Sequence, residues 1–223
     1  MTKLNQGNKN TKPALLNNDY LEANSTPSKE LKSDHNSWHF SPEFLTVTTG
    51  TEGDDTIVGV KTDENEIYGL GGNDRITGGD KDDAIDAGNG NDSIIGGGGD
   101  DQVFGGGGTD FINGGDGFDA AFFSGDFADY GLRNRGAGTW RIEDFAVGRD
   151  GIDRTWGVEA FVFNDGVFFD ESAYSGEGLF LTNDKLKEVM ATFGREDVSL
   201  SEVRDYLKTH GDVAVTLTSS EWS

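Results

Sequence analysis

The stretch GGDKDDAIDAGNGNDSIIGGGGDDQVFGGGG, residues 78–108, repeats glycine and aspartate with a period of nine residues. Both residue types are poor formers of helices and strands, so their regular recurrence needs a physical reason. The period extends over residues 50–122, with an aliphatic residue at the eighth position of a unit and an aspartate at the sixth. The sixth-position aspartates are Asp55, Asp74, Asp83, Asp92, Asp101, Asp110 and Asp119. The irregular ten-residue unit 59–68 offers Asn65 instead.

Each unit divides into a six-residue turn and a three-residue segment that favours β structure, such as Ser93-Ile94-Ile95. Glycines in the turn permit positive φ and close approach of the backbone. One inward aliphatic side chain per unit cannot form a core by itself, but stacked coils of about 18 residues would align these side chains in two facing ladders. The sequence therefore predicts a mainly β fold, a parallel β-roll over residues 50–122.

Stacking would also bring sixth-position carboxylates 18 residues apart in sequence to the spacing of neighbouring strands, about 4.7–4.9 Å. Like charges this close oppose the stack unless a cation lies between them. Calcium takes six to eight oxygen ligands, and turn carbonyls can complete its coordination shell, whereas magnesium prefers tighter octahedral sites with retained water. The spacing thus favours calcium.

The units resemble the G-G-x-G-x-D-x-U-x nonapeptide of RTX proteins, which are secreted calcium-binding β-rolls. The segments 120–132 and 148–166 are similar to the region that often follows such repeats and closes the roll. The resemblance implies a right-handed parallel solenoid in which the seven aspartates above bind calcium together with turn glycines. The implied glycines are Gly72, Gly79, Gly88, Gly90, Gly97, Gly99, Gly106 and Gly108.

The family pattern pairs acidic turns two units apart. It implies about four well-formed calcium sites, between Asp74 and Asp92, Asp92 and Asp110, Asp83 and Asp101, and Asp101 and Asp119. One or two further sites near Asp55 and Asn65 are irregular, because Asp55 precedes Asp74 by 19 residues. Leu70, Lys81 and Ala87 replace turn glycines, which can distort a turn without removing a carboxylate.

The negative charge of the chain limits the kinds of partner that it can bind. The formal net charge is −23, and residues 50–119 hold 17 acidic residues against three basic ones. Such a polyanion repels nucleic acid and anionic membranes. The chain has no cysteine, no apolar run long enough to span a bilayer, and no N-terminal Sec signal. Without calcium, the charged glycine-rich stretch is predicted to be disordered.

The flanks divide into three further regions. Residues 1–49 are polar and predict a flexible arm, with a short ordered piece near residues 37–45. Residues 123–181 are rich in aromatic residues and predict a β-rich cap, with Asn164-Asp165-Gly166 as a hairpin turn. Residues 182–223 predict a helical hairpin and tail. Leu186, Val189, Met190 and Phe193 mark the first helix, and a capping box at Ser199 and Glu202 opens the second.

These features predict a non-enzymatic, secreted calcium-binding protein that folds on export. The resemblance implies bacterial export machinery as a partner, through a type I route with a C-terminal signal, which we place in residues 182–223 and expect to be dispensable for folding of the roll. An ordinary helical hairpin without a transport role is the alternative there. Two other functions stay open: recognition of an unknown extracellular or cell-surface partner through the cap, or an accessory part of an RTX enzyme. Against the enzyme, G-x-S-x-G and H-E-x-x-H motifs are missing, and no catalytic domain is recognisable.

Overall fold

A computed structural model describes residues 45–170, 178–195, 198–210 and 215–217. Most of the predicted N-terminal arm, residues 1–44, lies outside the described residues, as do residues 218–223 of the tail. Residues 45–49, which we expected to belong to the flexible arm, instead form the first strand of the roll.

Two sheets with parallel strands build the roll, because successive repeat units contribute their short strands to the two sheets in turn. The first sheet contains the parallel strands β1 (Leu45–Thr49), β3 (Glu64–Tyr68), β5 (Ala84–Asp86), β8 (Gln102–Phe104), β11 (Ala120–Phe122) and β15 (Ala160–Phe163), then the antiparallel strands β16 (Gly166–Asp170), β17 (Gly178–Thr182) and β18 (Val215–Leu217). The second sheet contains the parallel strands β2 (Thr56–Val58), β4 (Arg75–Gly79), β7 (Ser93–Gly98), β10 (Phe111–Asp116) and β14 (Ile152–Trp156), then the antiparallel strands β13 (Thr139–Asp144) and β12 (Tyr130–Gly136). Two turns also pair through β6 (Asn89–Gly90) and β9 (Gly107–Gly108). The predicted parallel β-roll is confirmed.

Aliphatic ladders fill the interior between the two sheets. In the regular part of the roll, partners in neighbouring coils are 18 residues apart, as in the pairs Ile76–Ile94 and Ile94–Ile112. The ladder on the second sheet consists of Ile57, Ile76, Ile94 and Ile112, and the facing ladder consists of Ile67, Ile85, Val103 and Ala121; all eight are buried. Burying each large aliphatic side chain stabilises the fold by about 1.5–3 kcal/mol.

The parallel stack continues past residue 122, where we expected the roll to end. β14 pairs in parallel with β10, and β15 pairs in parallel with β11, so one more coil is added after an interruption that contains a short 3-10 helix (Phe127–Asp129) and the hairpin β12–β13. In this added coil the ladder positions are Thr155 and Phe161. The hairpin turn predicted at Asn164-Asp165 is confirmed between β15 and β16.

An aromatic cluster closes this end of the molecule. Phe161 and Phe168 are fully buried, Trp140 packs edge-on against both of them, and Phe123 stacks on Phe163. These rings belong to the same buried core as the isoleucine ladders. Aromatic burial therefore replaces the aliphatic ladder where the repeat pattern stops.

Two helices cover the outer surface of the first sheet. They are α1 (Asn183–Ala191) and α2 (Leu200–Thr209), and the predicted capping box at Ser199 and Glu202 is present. Their buried faces share one apolar cluster with Phe104, Phe118 and Phe122 of the roll. This packing argues against our expectation that the roll folds without residues 182–223. No described helix is long and apolar enough to cross a membrane.

Candidate metal centre

The sixth-position residues form two columns along the edges of the roll, each aspartate immediately before a strand and Asn65 at the second position of β3. Column A is Asp55, Asp74, Asp92 and Asp110, and column B is Asn65, Asp83, Asp101 and Asp119. In each column the backbone N–H of one residue donates to a carboxylate oxygen of the next. For example, Asp92 N–H donates to Asp110 Oδ1 at 2.9 Å, and Asp83 N–H to Asp101 Oδ1 at 2.8 Å. All four aspartate pairs with regular spacing thus lie in adjacent coils, joined in the same way.

The second oxygen of these carboxylates has no donor. Oδ2 is buried and accepts no hydrogen bond from the described residues in Asp74, Asp83, Asp92, Asp101, Asp110 and Asp119. Buried polar atoms in proteins are nearly always paired, because an unpaired one loses its hydration without compensation. Six such oxygens at equivalent positions are acceptors that a bound cation would satisfy.

Burial and mutual repulsion shift the protonation of these groups. Burial raises the pKa of Asp101 to about 9, and the Asp119 carboxylate adds to the effect. The pKa of Asp110 is raised to about 8 and that of Asp119 to about 7, in both cases mainly by burial. A divalent cation between the carboxylates would stabilise their charged form and reverse these shifts.

Turn carbonyls approach the free carboxylate oxygens where glycine leaves room. A β-carbon at Gly96 would lie 2.3 Å from Asp101 Oδ2 and 2.6 Å from the carbonyl oxygen of Gly114. A β-carbon at Gly78 would lie 2.3 Å from Asp83 Oδ2 and 2.4 Å from the carbonyl oxygen of Gly96. A carboxylate of one turn and a carbonyl of the next coil therefore converge at a point that no side chain can occupy.

The glycines predicted as ligands lie in these turns. Positive φ is adopted by all of them except Gly79, that is by Gly72, Gly88, Gly90, Gly97, Gly99, Gly106 and Gly108. Leu70, which replaces a glycine, also has a positive φ, of 79°, so the turn geometry is kept there at the expense of strain.

The available donors fit a hard cation. They are carboxylate and carbonyl oxygens, the ligands calcium takes in proteins. In the described part of the chain no three His, Cys, Asp or Glu side chains gather around one point, so side chains alone do not form a metal cage. A site built from two carboxylates and several main-chain carbonyls does not need such a gathering.

Comparison with protein families supports the same assignment. The family model for the RTX calcium-binding nonapeptide repeat matches residues 62–94 and 86–120. Residues 62–120 of the chain thus consist of repeats of the RTX calcium-binding type. No curated protein matched the sequence.

The first coil of the RTX roll differs from the others. Asp55 is partly exposed, and its Oδ2 accepts hydrogen bonds from the Thr51 backbone N–H (2.6 Å) and hydroxyl (2.8 Å). Asn65 is fully buried, and its amide donates to Asp83 Oδ1 and to the carbonyl oxygens of Val60 and Asp63. Protein groups thus already satisfy both side chains, which explains why this coil can depart from the repeat pattern.

Two acidic residues that the sequence analysis missed extend the columns of the RTX roll. Asp153 Oδ1 accepts the N–H of Asp110, and Glu159 Oε2 accepts the N–H of Asp119, both at 2.9 Å. The sequence did carry a signal for Asp153, because residues 148–153 read G-x-x-G-x-D. A smaller row beside column A was also missed: the side-chain oxygens of Asp54, Asn73 and Asn91 each accept a backbone N–H from the following coil.

Proposed function

We propose that this RTX protein is a secreted calcium-binding protein, without enzymatic activity, whose roll folds when it meets extracellular calcium. The match of residues 62–120 to the RTX calcium-binding repeat model supports calcium binding itself. The observation that carries the finer proposal is the set of six buried carboxylate oxygens without a donor. Each is a strong acceptor whose neighbouring oxygen, Oδ1, is held by a backbone N–H of the preceding coil. A backbone carbonyl and the Oδ2 atom converge at the same glycine for Asp74, Asp83, Asp101 and Asp119.

In this proposal the ions are held by the regular aspartate pairs and by carbonyls of the turn glycines. The four sites join Asp74 with Asp92, Asp92 with Asp110, Asp83 with Asp101, and Asp101 with Asp119. A bound calcium ion supplies the charge that offsets carboxylate repulsion, and the protein supplies the oxygens and the spacing between coils. The turns exclude competing side chains, because glycine occupies the points of closest approach.

Coupling of folding to calcium follows from the same geometry. An unfolded chain keeps its carboxylates hydrated and apart, whereas the folded roll buries six of them. An ion that binds only the folded state stabilises it by about 2.7 kcal/mol when present at 100 times its dissociation constant. Extracellular calcium modules typically bind at about 10⁻⁴–10⁻³ M, so the roll would stay unfolded where calcium is scarce.

Secretion is typical of RTX repeat proteins and supports an extracellular location. We propose a type I route that reads a C-terminal signal within residues 182–223. An unfolded, calcium-free chain suits passage through a narrow exporter. The packing of α1 and α2 on the roll means that such a signal would become covered once the protein has folded.

A calcium titration followed by far-ultraviolet circular dichroism tests the proposal. Starting from protein in EGTA, β structure is expected to appear at about 0.1–1 mM free calcium. Magnesium at the same concentration serves as the control and should produce little change. A spectrum that is the same in EGTA and in calcium would contradict the proposal.

One observation favours recognition of a partner as a second function. On the outer surface of the second sheet, Arg133, Arg141 and Arg154 lie directly opposite one another on β12, β13 and β14. Phe111 is the cross-strand neighbour of Arg154, and Phe111 and Trp156 are 42% and 54% exposed. Glu143 pairs with Arg141, while neither Arg133 nor Arg154 forms an ion pair with a described residue. In a chain of net charge −23, this row is a local basic surface.

Arginine and exposed aromatic residues are enriched at protein interfaces, so the occupant we propose is an acidic segment of a partner protein. Polyglutamate is a suitable probe, and its binding, followed by fluorescence anisotropy, should weaken with salt. The double variant Arg133→Gln/Arg154→Gln should lose this binding, whereas Lys187→Gln, on the exposed side of α1, should retain it. Equal binding by both variants would contradict this second function, as would a preference for an acidic polysaccharide over polyglutamate.

A further inference from the structure

Residues 148–156, GRDGIDRTW, have the pattern of a repeat unit outside the region that the family model matches. Glycine occupies the first and fourth positions, and Asp153 occupies the sixth. Residues 123–147 separate this segment from the last regular unit, and Thr155 replaces the usual aliphatic residue at the eighth position. Because of these two departures, the segment is hard to recognise as a repeat unit from the sequence alone.

The segment stacks on the roll in the same way as a regular unit. The N–H of Arg154 donates to the Asp110 carbonyl at 2.9 Å, as Phe111 N–H donates to the Asp92 carbonyl at 2.8 Å. The hydrogen bond from Asp110 N–H to Asp153 Oδ1 matches the one from Asp92 N–H to Asp110 Oδ1, with both at 2.9 Å. In backbone register, Ile112 pairs with Thr155 as Ile94 pairs with Ile112.

The turns repeat as well. Gly151 has a positive φ of 79°, and a β-carbon there would lie 1.8 Å from the carbonyl oxygen of Gly108. At Gly108 the corresponding distance to the carbonyl oxygen of Gly90 is 1.6 Å. The carbonyl oxygen of Arg149 would lie 2.9 Å from a β-carbon on Gly107. From Gly151 to Asp153 the turn therefore lies against residues 108–110 as one regular turn lies against the next.

We infer that the turns 105–110 and 148–153 form an additional calcium site, with Asp110 and Asp153 as its carboxylate ligands. Asp110 Oδ2 is buried without a donor, and Asp110 and Asp153 are each only 2% exposed. The inference rests on the proposed function, but it assigns a site to residues that lie outside the recognised repeats. It also gives calcium a second task, because the ion would attach the inserted hairpin and cap to the roll.

The inserted segment holds the turn at 148–153 in place. The Asp150 carboxylate accepts hydrogen bonds from Ser124 N–H (2.7 Å) and from the hydroxyls of Ser124 and Tyr130. The Arg149 guanidinium pairs with Asp144 and Asp129. Asp150 is therefore occupied by protein donors and acts as a positioning residue, which leaves Asp153 as the ligand.

The added coil extends column B less completely than column A. Glu159 reaches the N–H of Asp119, but Gly157 and Val158 are the only residues between β14 and this acid, so the other turn residues of a regular unit are missing. The Gly157 carbonyl still lies beside Asp119 Oδ2, but without the other turn carbonyls the Asp119–Glu159 pair has an incomplete coordination shell. The added coil therefore contributes one calcium site, on the column A side.

Counting bound calcium by native mass spectrometry at saturating calcium tests the inference. Asp153→Asn keeps an oxygen that can accept the Asp110 N–H, and Asn65 shows that asparagine fits a column position. This variant should bind one ion fewer than the unaltered protein. Glu159→Gln, and Asp126→Asn at an exposed position, remove the same charge and should leave the count unchanged. An unchanged count in Asp153→Asn, or a loss of one ion in Glu159→Gln, would overturn the inference.

Anomalous diffraction from crystals of the unaltered protein grown in calcium decides the matter if Asp153→Asn fails to fold. A peak between Asp110 and Asp153 is expected, and its absence while peaks occupy the repeat pairs would overturn the inference and leave the proposed function intact. If the unaltered protein binds no calcium in either measurement, the proposed function fails as well.

Discussion

Within the repeats a typical nine-residue unit buries one aliphatic side chain in the roll interior, whereas every residue of β15 and the first four of β16 are buried. The repeats also bury six carboxylates, while the cap gathers Phe161, Phe168 and Trp140 into one aromatic cluster. Both regions belong to the same sheets. Under the proposed function, one continuous stack obtains its stability from two sources, from bound cations in the roll and from apolar burial in the cap.

The largest expected effect comes from removing calcium. In EGTA, amides of β4, β7 and β10 should lose protection from hydrogen exchange, because uncompensated carboxylates separate the coils. Amides of β15 and β16 should keep more of theirs, since aromatic burial does not depend on calcium. Hydrogen exchange followed by mass spectrometry measures both regions in one sample. Equal loss in the two regions would show that the stack depends on calcium as a whole.

Shortening a buried side chain of α1 tests the other source of stability, which is apolar burial. Leu186 on α1 is 2% exposed, and Leu186→Ala should lower the free energy of unfolding by about 2–5 kcal/mol. Raising calcium should leave that difference unchanged, because no proposed ligand lies on α1. Chemical denaturation at two calcium concentrations gives the answer. Lys187→Ala, an exposed neighbour, is the control and should have little effect.

Within the roll, Asp101 is shared by two proposed sites and Asp55 lies at the end of column A, so their replacement should affect calcium-dependent folding differently. Asp101→Asn weakens two proposed sites and should raise the calcium midpoint for folding by about tenfold or more, which corresponds to at least about 1.4 kcal/mol. Asp55→Asn should raise it much less, because Thr51 already satisfies the Asp55 carboxylate. Circular dichroism titrations of these variants, with the exposed Asp116→Asn as control, make the comparison. Equal shifts for Asp101→Asn and Asp55→Asn would disprove the site assignment.

The smallest expected effect is a dependence on pH without calcium. The pKa of Asp101 is raised to about 9 in the folded protein, against about 3.9 in an unfolded chain. A carboxyl group whose pKa is higher in the folded than in the unfolded state stabilises the folded state when it is protonated. This stabilisation is fully present below the unfolded-state pKa and is lost as pH rises through the folded-state pKa. In EGTA, β structure should therefore be greater near pH 5 than near pH 8. Circular dichroism measures this, and β content that rises with pH would contradict the account.

The sequence alone predicted the parts of the fold and of the site that depend on a periodic or a local pattern. The nine-residue period predicted the roll, its two ladders and the four neighbouring aspartate pairs, because stacking leaves little freedom once the coil length is set. The capping box at Ser199 and the hairpin at Asn164-Asp165 are local signals, and both were predicted correctly.

The parts that could not be predicted depend on contacts between distant segments. Residues 123–147 separate Asp153 from its partner Asp110, so spacing alone could not place it in column A. Ile95 and Phe104 both occupy the ninth position and point outward, yet only Phe104 is buried, because the helices cover the first sheet. Nothing in the repeat tells which outer surface is covered.

The central claim is that cations between stacked acidic turns supply much of the stability of the roll. It is tested most directly by measuring the free energy of unfolding over a range of saturating calcium concentrations. Each ion released on unfolding adds about RT to the slope against the logarithm of calcium concentration, so we expect a slope of about four to five times RT. A free energy of unfolding that is independent of calcium would contradict the account.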